Sequence, residues 1–189
     1  KLLIFIAFLL VFIIISLYSY KIYQDEHRES ISNKYNNAII DYKNGNKEKI
    51  IRSMKDIIED KDSTYSPLAL YFIIDNNLIQ NQNEINDLFN ILINKTTLEN
   101  EIRNLIIYKK GLYNADTINE NELLDILKPI INTESVWKSH ALYLLAEYFY
   151  FKNEKQKSKE FFNQILSINN ANQDIVKEAQ KRLSRDLSE

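Results

Sequence analysis

The chain has 189 residues and a formal net charge of −2, with 45% hydrophobic and 26% charged residues. Without an excess of positive charge, no feature favours the phosphate backbone of a nucleic acid as a partner. The absence of Cys excludes disulfides and thiolate metal sites.

The N-terminal segment Leu2–Tyr20 carries no charged residue and reads LLIFIAFLLVFIIISLYSY. At about 1.5 Å per residue, a helix over it would be ~28 Å long, close to the ~30 Å hydrocarbon core of a bilayer. A cleaved signal peptide is the alternative, but its apolar region is usually only about 7–15 residues long. The segment therefore predicts a single transmembrane anchor in residues 1–23, followed by a juxtamembrane connector in residues 24–30.

Residues 31–189 are predicted to form one all-α domain, since apolar residues recur at intervals of three and four. Only two Gly and two Pro residues interrupt this pattern in the whole chain. We predict helices near 31–44, 47–60, 66–80, 83–94, 97–112, 119–131, 134–152, 154–168 and 172–186. Short turns between such helices favour a tetratricopeptide-like, right-handed solenoid of about four helix pairs and a closing helix.

The predicted joints carry residues that suit turns and helix starts. Gly45 can take the left-handed conformation that ends a helix, and Asn46 can cap the next one. Ser66 is the expected N-cap of a helix with Pro67 in its first turn. Asn153 tolerates positive φ between the two helices of the last hairpin.

The clearest repeat spans "ALYLLAEYFYFKNEKQKSKEFFNQIL", where small residues would let two helices approach and larger ones fill the space between them. A weaker copy begins near Ile31, and "YSPLALYFIIDNNLIQ" keeps one small position. The predicted repeat-packing residues are Ala38, Gly45, Met54, Ala69, Leu142, Leu145, Ala146, Phe149, Ser158 and Phe162.

Nearly the whole chain resembles a known family. The apolar N-terminal stretch is followed by "YNNAIIDYKNGNKEKIIRSMKDII", "YSPLALYFIIDNN", "LENEIRNLIIYKKGL" and "NQDIVKEAQKRL". This order is similar to the tetratricopeptide repeat-like domain of YfgM-type ancillary subunits of the bacterial Sec translocon, in their alphaproteobacterial form. The resemblance implies a single anchor in the bacterial inner membrane and repeats in the periplasm. The implied partners are the translocon channel, a periplasmic chaperone or an emerging secreted chain.

No arrangement of residues predicts chemistry. His27 lies in the charged stretch "DEHRE", and His140 lies inside a predicted helix near Trp137. No Ser or Thr has a neighbouring His–acid pair, and two isolated glycines cannot build a phosphate loop. We therefore predict no catalytic residue, no cofactor and no metal site.

Aromatic residues crowd the last hairpin, and three of them are predicted to contact a partner: Trp137, Tyr148 and Phe151. Such residues could anchor an extended or helical peptide in a groove. The first hypothesis is a membrane-anchored protein-binding scaffold that assists Sec translocation or the periplasmic chaperone network. The alternative is a structural envelope or cell-division assembly protein that uses the same repeats and forms homo-oligomers. An enzyme is the third and least favoured class.

Overall fold

A computed structural model describes the backbone of residues 2–188 and the side chains of residues 5 and 9–188. Within that range every regular element is an α-helix, which confirms the predicted all-α class. The helices are α1 Leu2–Lys43, α2 Lys47–Glu59, α3 Tyr65–Asp75, α4 Gln82–Lys95, α5 Asn100–Asn114, α6 Glu120–Ile131, α7 Lys138–Phe151, α8 Lys155–Leu166 and α9 Gln173–Asp186.

The predicted transmembrane helix over Leu2–Tyr20 is wrong. Among the residues that the structure describes, no helix combines the length and apolar character needed to cross a membrane. Helix α1 runs without a break from Leu2 to Lys43 and includes the charged residues from Lys21 onward, so no separate helix ends near Tyr20. The remainder of the predicted segment, the side chains of residues 2–4 and 6–8, lies outside the described residues.

The first of two compact units covers Lys1–Ile91. In it α2 packs against α1 and α3, and α1 also contacts α3. The predicted boundaries after residues 23 and 30 both fall inside α1. The core side chains that these three helices contribute are Ile31, Ala38, Ile50, Met54, Ile57, Ile58, Ala69, Leu70 and Ile73.

The second unit covers Leu92–Glu189 and is built around α7. This helix contacts α5, α6, α8 and α9. One face of α7 places Ala141, Leu145 and Phe149 in a cluster with α6, and another face places Leu142 and Ala146 in a cluster with α8 and α9. Because α7 is buried from both directions, it fixes the positions of the helices around it.

The turns show why the predicted helix joints were mostly right. Gly45 has φ +84°, and the side chain of Asn46 accepts a hydrogen bond from Lys49 N at 3.2 Å. Asn153 has φ +63°, as predicted for the turn between α7 and α8.

The predicted N-cap role of Ser66 is wrong. Helix α3 begins one residue earlier, at Tyr65, and Asp62 Oδ1 accepts hydrogen bonds from Thr64 N and Tyr65 N at 2.8 and 2.7 Å. Ser66 is instead buried, and its hydroxyl donates to Ile57 O at 2.6 Å.

Candidate binding groove

A groove of about 370 Å³ lies in the second unit, between the end of α5 and the C-terminal half of α7. We call it the α5–α7 groove. Its lining has an apolar majority with charged groups interspersed, and it offers no histidine or hydroxyl nucleophile other than a tyrosine. The lining residues are Leu112, Ala115, Asp116, Leu144, Glu147, Tyr148, Phe151 and Lys152.

Tyr148 and Phe151, two of the three predicted partner residues, both line this groove. Tyr148 is only 7% exposed, and its hydroxyl donates to Ile118 O at 3.1 Å. Phe151 is 81% exposed and ends α7. Tyr148 therefore forms a fixed part of the wall, whereas the ring of Phe151 is free to meet another molecule.

The α7 wall follows from helical spacing. Leu144, Tyr148 and Phe151 are four and three residues apart, so their side chains lie on one face of the helix. The helix ends there because Asn153 takes a left-handed conformation, which turns the chain into α8. The exposed Phe151 thus stands at the end of a stripe whose inner members are partly or fully buried.

The other wall depends on the α5–α6 connection. Asn114 is buried and its carbonyl accepts hydrogen bonds from Thr117 N and Ile118 N, at 2.9 and 3.2 Å. Asn119 and Glu122 then form a reciprocal capping box that starts α6. These bonds hold the short loop that presents Ala115 and Asp116 to the groove.

Glu147 lines the groove and also forms an ion pair with Arg182 of α9. Arg182 donates to both of its carboxylate oxygens, Nε to Oε1 at 2.6 Å and Nη2 to Oε2 at 2.9 Å. Arg182 also pairs with Asp186, and its guanidinium lies 4.1 Å from the centroid of the Tyr150 ring. A bidentate pair of this kind is both strong and directional, so α9 orients a groove residue.

Trp137, the third predicted partner residue, does not line the groove. Its ring stacks on Tyr108 with centroids 5.9 Å apart and packs 5.1 Å from His140. Burial lowers the pKa of His140, an effect that the Val136 backbone partly offsets. Trp137 thus belongs to an aromatic cluster with Tyr108 and His140 at the opposite end of α7.

The predicted repeat-packing residues lie inside the two units. Apart from Gly45, which occupies its turn, they are at most 2% exposed: Ala38, Met54, Ala69, Leu142, Leu145, Ala146, Phe149, Ser158 and Phe162. Phe149 stacks on Phe161 with centroids 5.4 Å apart. The side chains that the repeat pattern singled out thus lie in the core, and the groove is formed by other residues.

Leu112, Leu144 and Asp116 are groove residues that the sequence interpretation missed. Leu144 could have been found, because it lies on the same helical face as Tyr148 and Phe151. Leu112 could not, since its place depends on how α5 packs beside α7. Within the part of the chain that the structure describes, no group of three His, Asp or Glu side chains is arranged to hold a metal ion.

Comparison with known proteins gives no match to a family model, to a curated protein or to a solved structure. The resemblance to YfgM-type subunits therefore stays a prediction.

Proposed function

We propose that this protein is a protein-binding scaffold made of tetratricopeptide-like helix hairpins, with the α5–α7 groove as its binding surface. The observation that carries the proposal is the 81% exposure of Phe151 beside an apolar groove on an otherwise well-packed helix. An aromatic ring that is exposed to water at the edge of an apolar groove offers apolar area that a protein partner can bury.

The packing of the second unit supports the hairpin interpretation. Helix α7 packs against the helix that follows it and also against α5 and α9, two positions away in chain order. This is the neighbour pattern of stacked hairpins, in which the first helix of each hairpin touches the first helix of the next. In this arrangement α5 and α7 are the first helices of consecutive hairpins, and the groove lies between them.

The groove composition favours binding over chemistry. Burying its apolar side chains against a partner contributes a favourable free energy of about 25 cal/mol for each Å² of apolar surface removed from water. The charged groups around them, Asp116, Glu147 and Lys152, would orient the partner, and Glu147 is already held by Arg182. Preorganised side chains of this kind reduce the ordering cost that binding must overcome.

The resemblance to Sec ancillary subunits extends the proposal to the partner. We propose an accessory role in protein translocation or in the periplasmic chaperone network. The bound molecule would be the translocon channel, a periplasmic chaperone or an emerging secreted chain.

Affinity purification from native extracts tests this proposal. The wild-type chain should retain channel or chaperone subunits, and Phe151→Ser should weaken their binding roughly thirtyfold, since hot-spot truncation costs about 2 kcal/mol. The matched control is Leu166→Ser, at a 40% exposed position outside the groove lining. Equal recovery with all three chains, or recovery of the chain alone, would count against the proposal.

A further inference from the structure

We propose that the occupant of the α5–α7 groove is a peptide segment that presents apolar side chains next to a lysine or arginine. This inference rests on the proposed function and specifies the chemistry of the partner.

The apolar part of the recognition comes from Leu112, Leu144 and Phe151. Leu112 is 53% exposed and faces the stripe of α7 across the groove. Tyr148 closes the space between them and is itself held by its bond to Ile118 O. An apolar side chain inserted here would cover both Leu112 and Phe151, so one anchor would bury side chains from both walls.

The charges around this apolar area are mainly negative. Asp116 lies on the groove edge and is exposed, and it has no ion-pair partner within the described part of the chain. Burial raises the pKa of the Tyr148 hydroxyl, and the carboxylates of Glu120, Glu154 and Glu122 lie close enough to raise it further.

Positive groups near the groove do not balance these carboxylates. Lys157 Nζ is shared between Glu120 and Glu154, at 2.8 Å from each, so one amine serves two acids. Lys152 is the one cation in the lining, and its Nζ lies 5.3 Å from the centroid of the Tyr148 ring. At the groove edge, Asp116 is thus left with a negative charge that forms no ion pair among the described residues, and this charge attracts a cationic residue and repels an acidic one.

Fluorescence anisotropy with two labelled probes tests this inference on the full chain. One probe is an amphipathic peptide of Leu and Lys, and the other is its copy with every Lys replaced by Glu. We expect the Leu/Lys peptide to bind about tenfold more tightly at low salt, with the difference shrinking as salt is added. Asp116→Asn should weaken binding of the Leu/Lys peptide about two- to fivefold, the usual size of an exposed ion pair, and should strengthen binding of the Leu/Glu peptide, because it removes a repulsion.

The matched control is Asp125→Asn, which removes an exposed carboxylate of α6 outside the groove and should change neither probe. Circular dichroism of each variant checks that the fold is retained. If both peptides bind equally and Phe151→Ser weakens both, the charge preference is overturned while the binding groove stands. If Phe151→Ser weakens neither, or if the Leu/Lys peptide does not bind, the groove does not take this class of partner. A Phe151→Ser chain that binds both probes normally and also retains its native partners would overturn the proposed function itself.

Discussion

Ala146 and Ser158 illustrate how single residues set the spacing of the last hairpin. Ala146 lies on α7 and Ser158 on α8, and both are fully buried. The Ser158 hydroxyl has no hydrogen-bond partner among the described residues, so it forms no polar contact that would stabilise the fold. The property that matters at both positions is small size, which lets the larger Leu142 and Phe162 fill the space around them.

We expect Ala146→Trp to destabilise the chain by roughly 1–3 kcal/mol, because the added ring must displace side chains from a closed core. Ser158→Ala keeps the volume almost unchanged and should leave the melting temperature the same or slightly higher. Thermal unfolding followed by circular dichroism measures both. A melting curve for Ala146→Trp that coincides with the wild type would contradict the assigned hairpin packing.

At the scale of elements, the positions of the helices from α2 onward could be predicted from apolar spacing and turn residues, but several of their ends could not. Helix α7 was predicted from residue 134 and begins at Lys138. The delay comes from Glu101, a residue on α5, whose Oε2 accepts bonds from Ser135 Oγ at 2.9 Å and Val136 N at 3.2 Å. A tertiary contact between residues more than thirty positions apart leaves no local signal in the sequence.

Helix α3 ends at Asp75 instead of near residue 80, because Asn77 takes φ +48° and stops the helix. The run "DNN" indicates a turn at this point, but the apolar residues that follow it made the predicted helix too long. Helix α1 differed most, since the predicted anchor and the first repeat helix form one continuous element.

Helix α9 carries ion pairs that make the stability of the fold depend on pH in the acid range. Hydrogen bonds from Arg185, reinforced by Arg182 and opposed by burial, lower the pKa of Asp186 to about 2. An unfolded Asp has a pKa of about 3.9. The stability that Asp186 contributes is therefore fully present above the unfolded pKa and is lost as the pH falls toward the folded value.

We expect the free energy of unfolding of the wild type to exceed that of Asp186→Asn near neutral pH, and the gap to close between about pH 4 and pH 2. Urea titrations across this range measure the gap. Asp174→Asn, at a 91% exposed side chain, is the control and should show a small, nearly constant difference. A gap for Asp186→Asn that does not change with pH would show that the carboxylate is not held as described.

At the scale of the whole molecule, the sequence predicted a groove with Tyr148 and Phe151 at its side but not the α5 residues that form its other wall. Tyr148 and Phe151 were identified from aromatic crowding, which does not distinguish a buried ring from an exposed one. Their roles separate only when α5 is packed beside α7 and Tyr148 is covered. Trp137 illustrates the same limit. The sequence places it with the partner residues, but its ring stacks on Tyr108, a residue of another helix that the local sequence does not reveal.

We propose the α5–α7 groove as the surface through which this protein binds a partner. In-cell photocrosslinking tests it directly, with a photoreactive residue placed in turn at Leu112 and Phe151 in the groove and at Val136 and Leu166 outside it. All four positions are at least 40% exposed, so each can reach a neighbouring molecule.

We expect adducts with one and the same protein partner from both groove positions and not from the two outside positions. We also expect Asp116→Asn to reduce those adducts. The same adducts from all four positions, or from Val136 and Leu166 alone, would contradict the claim.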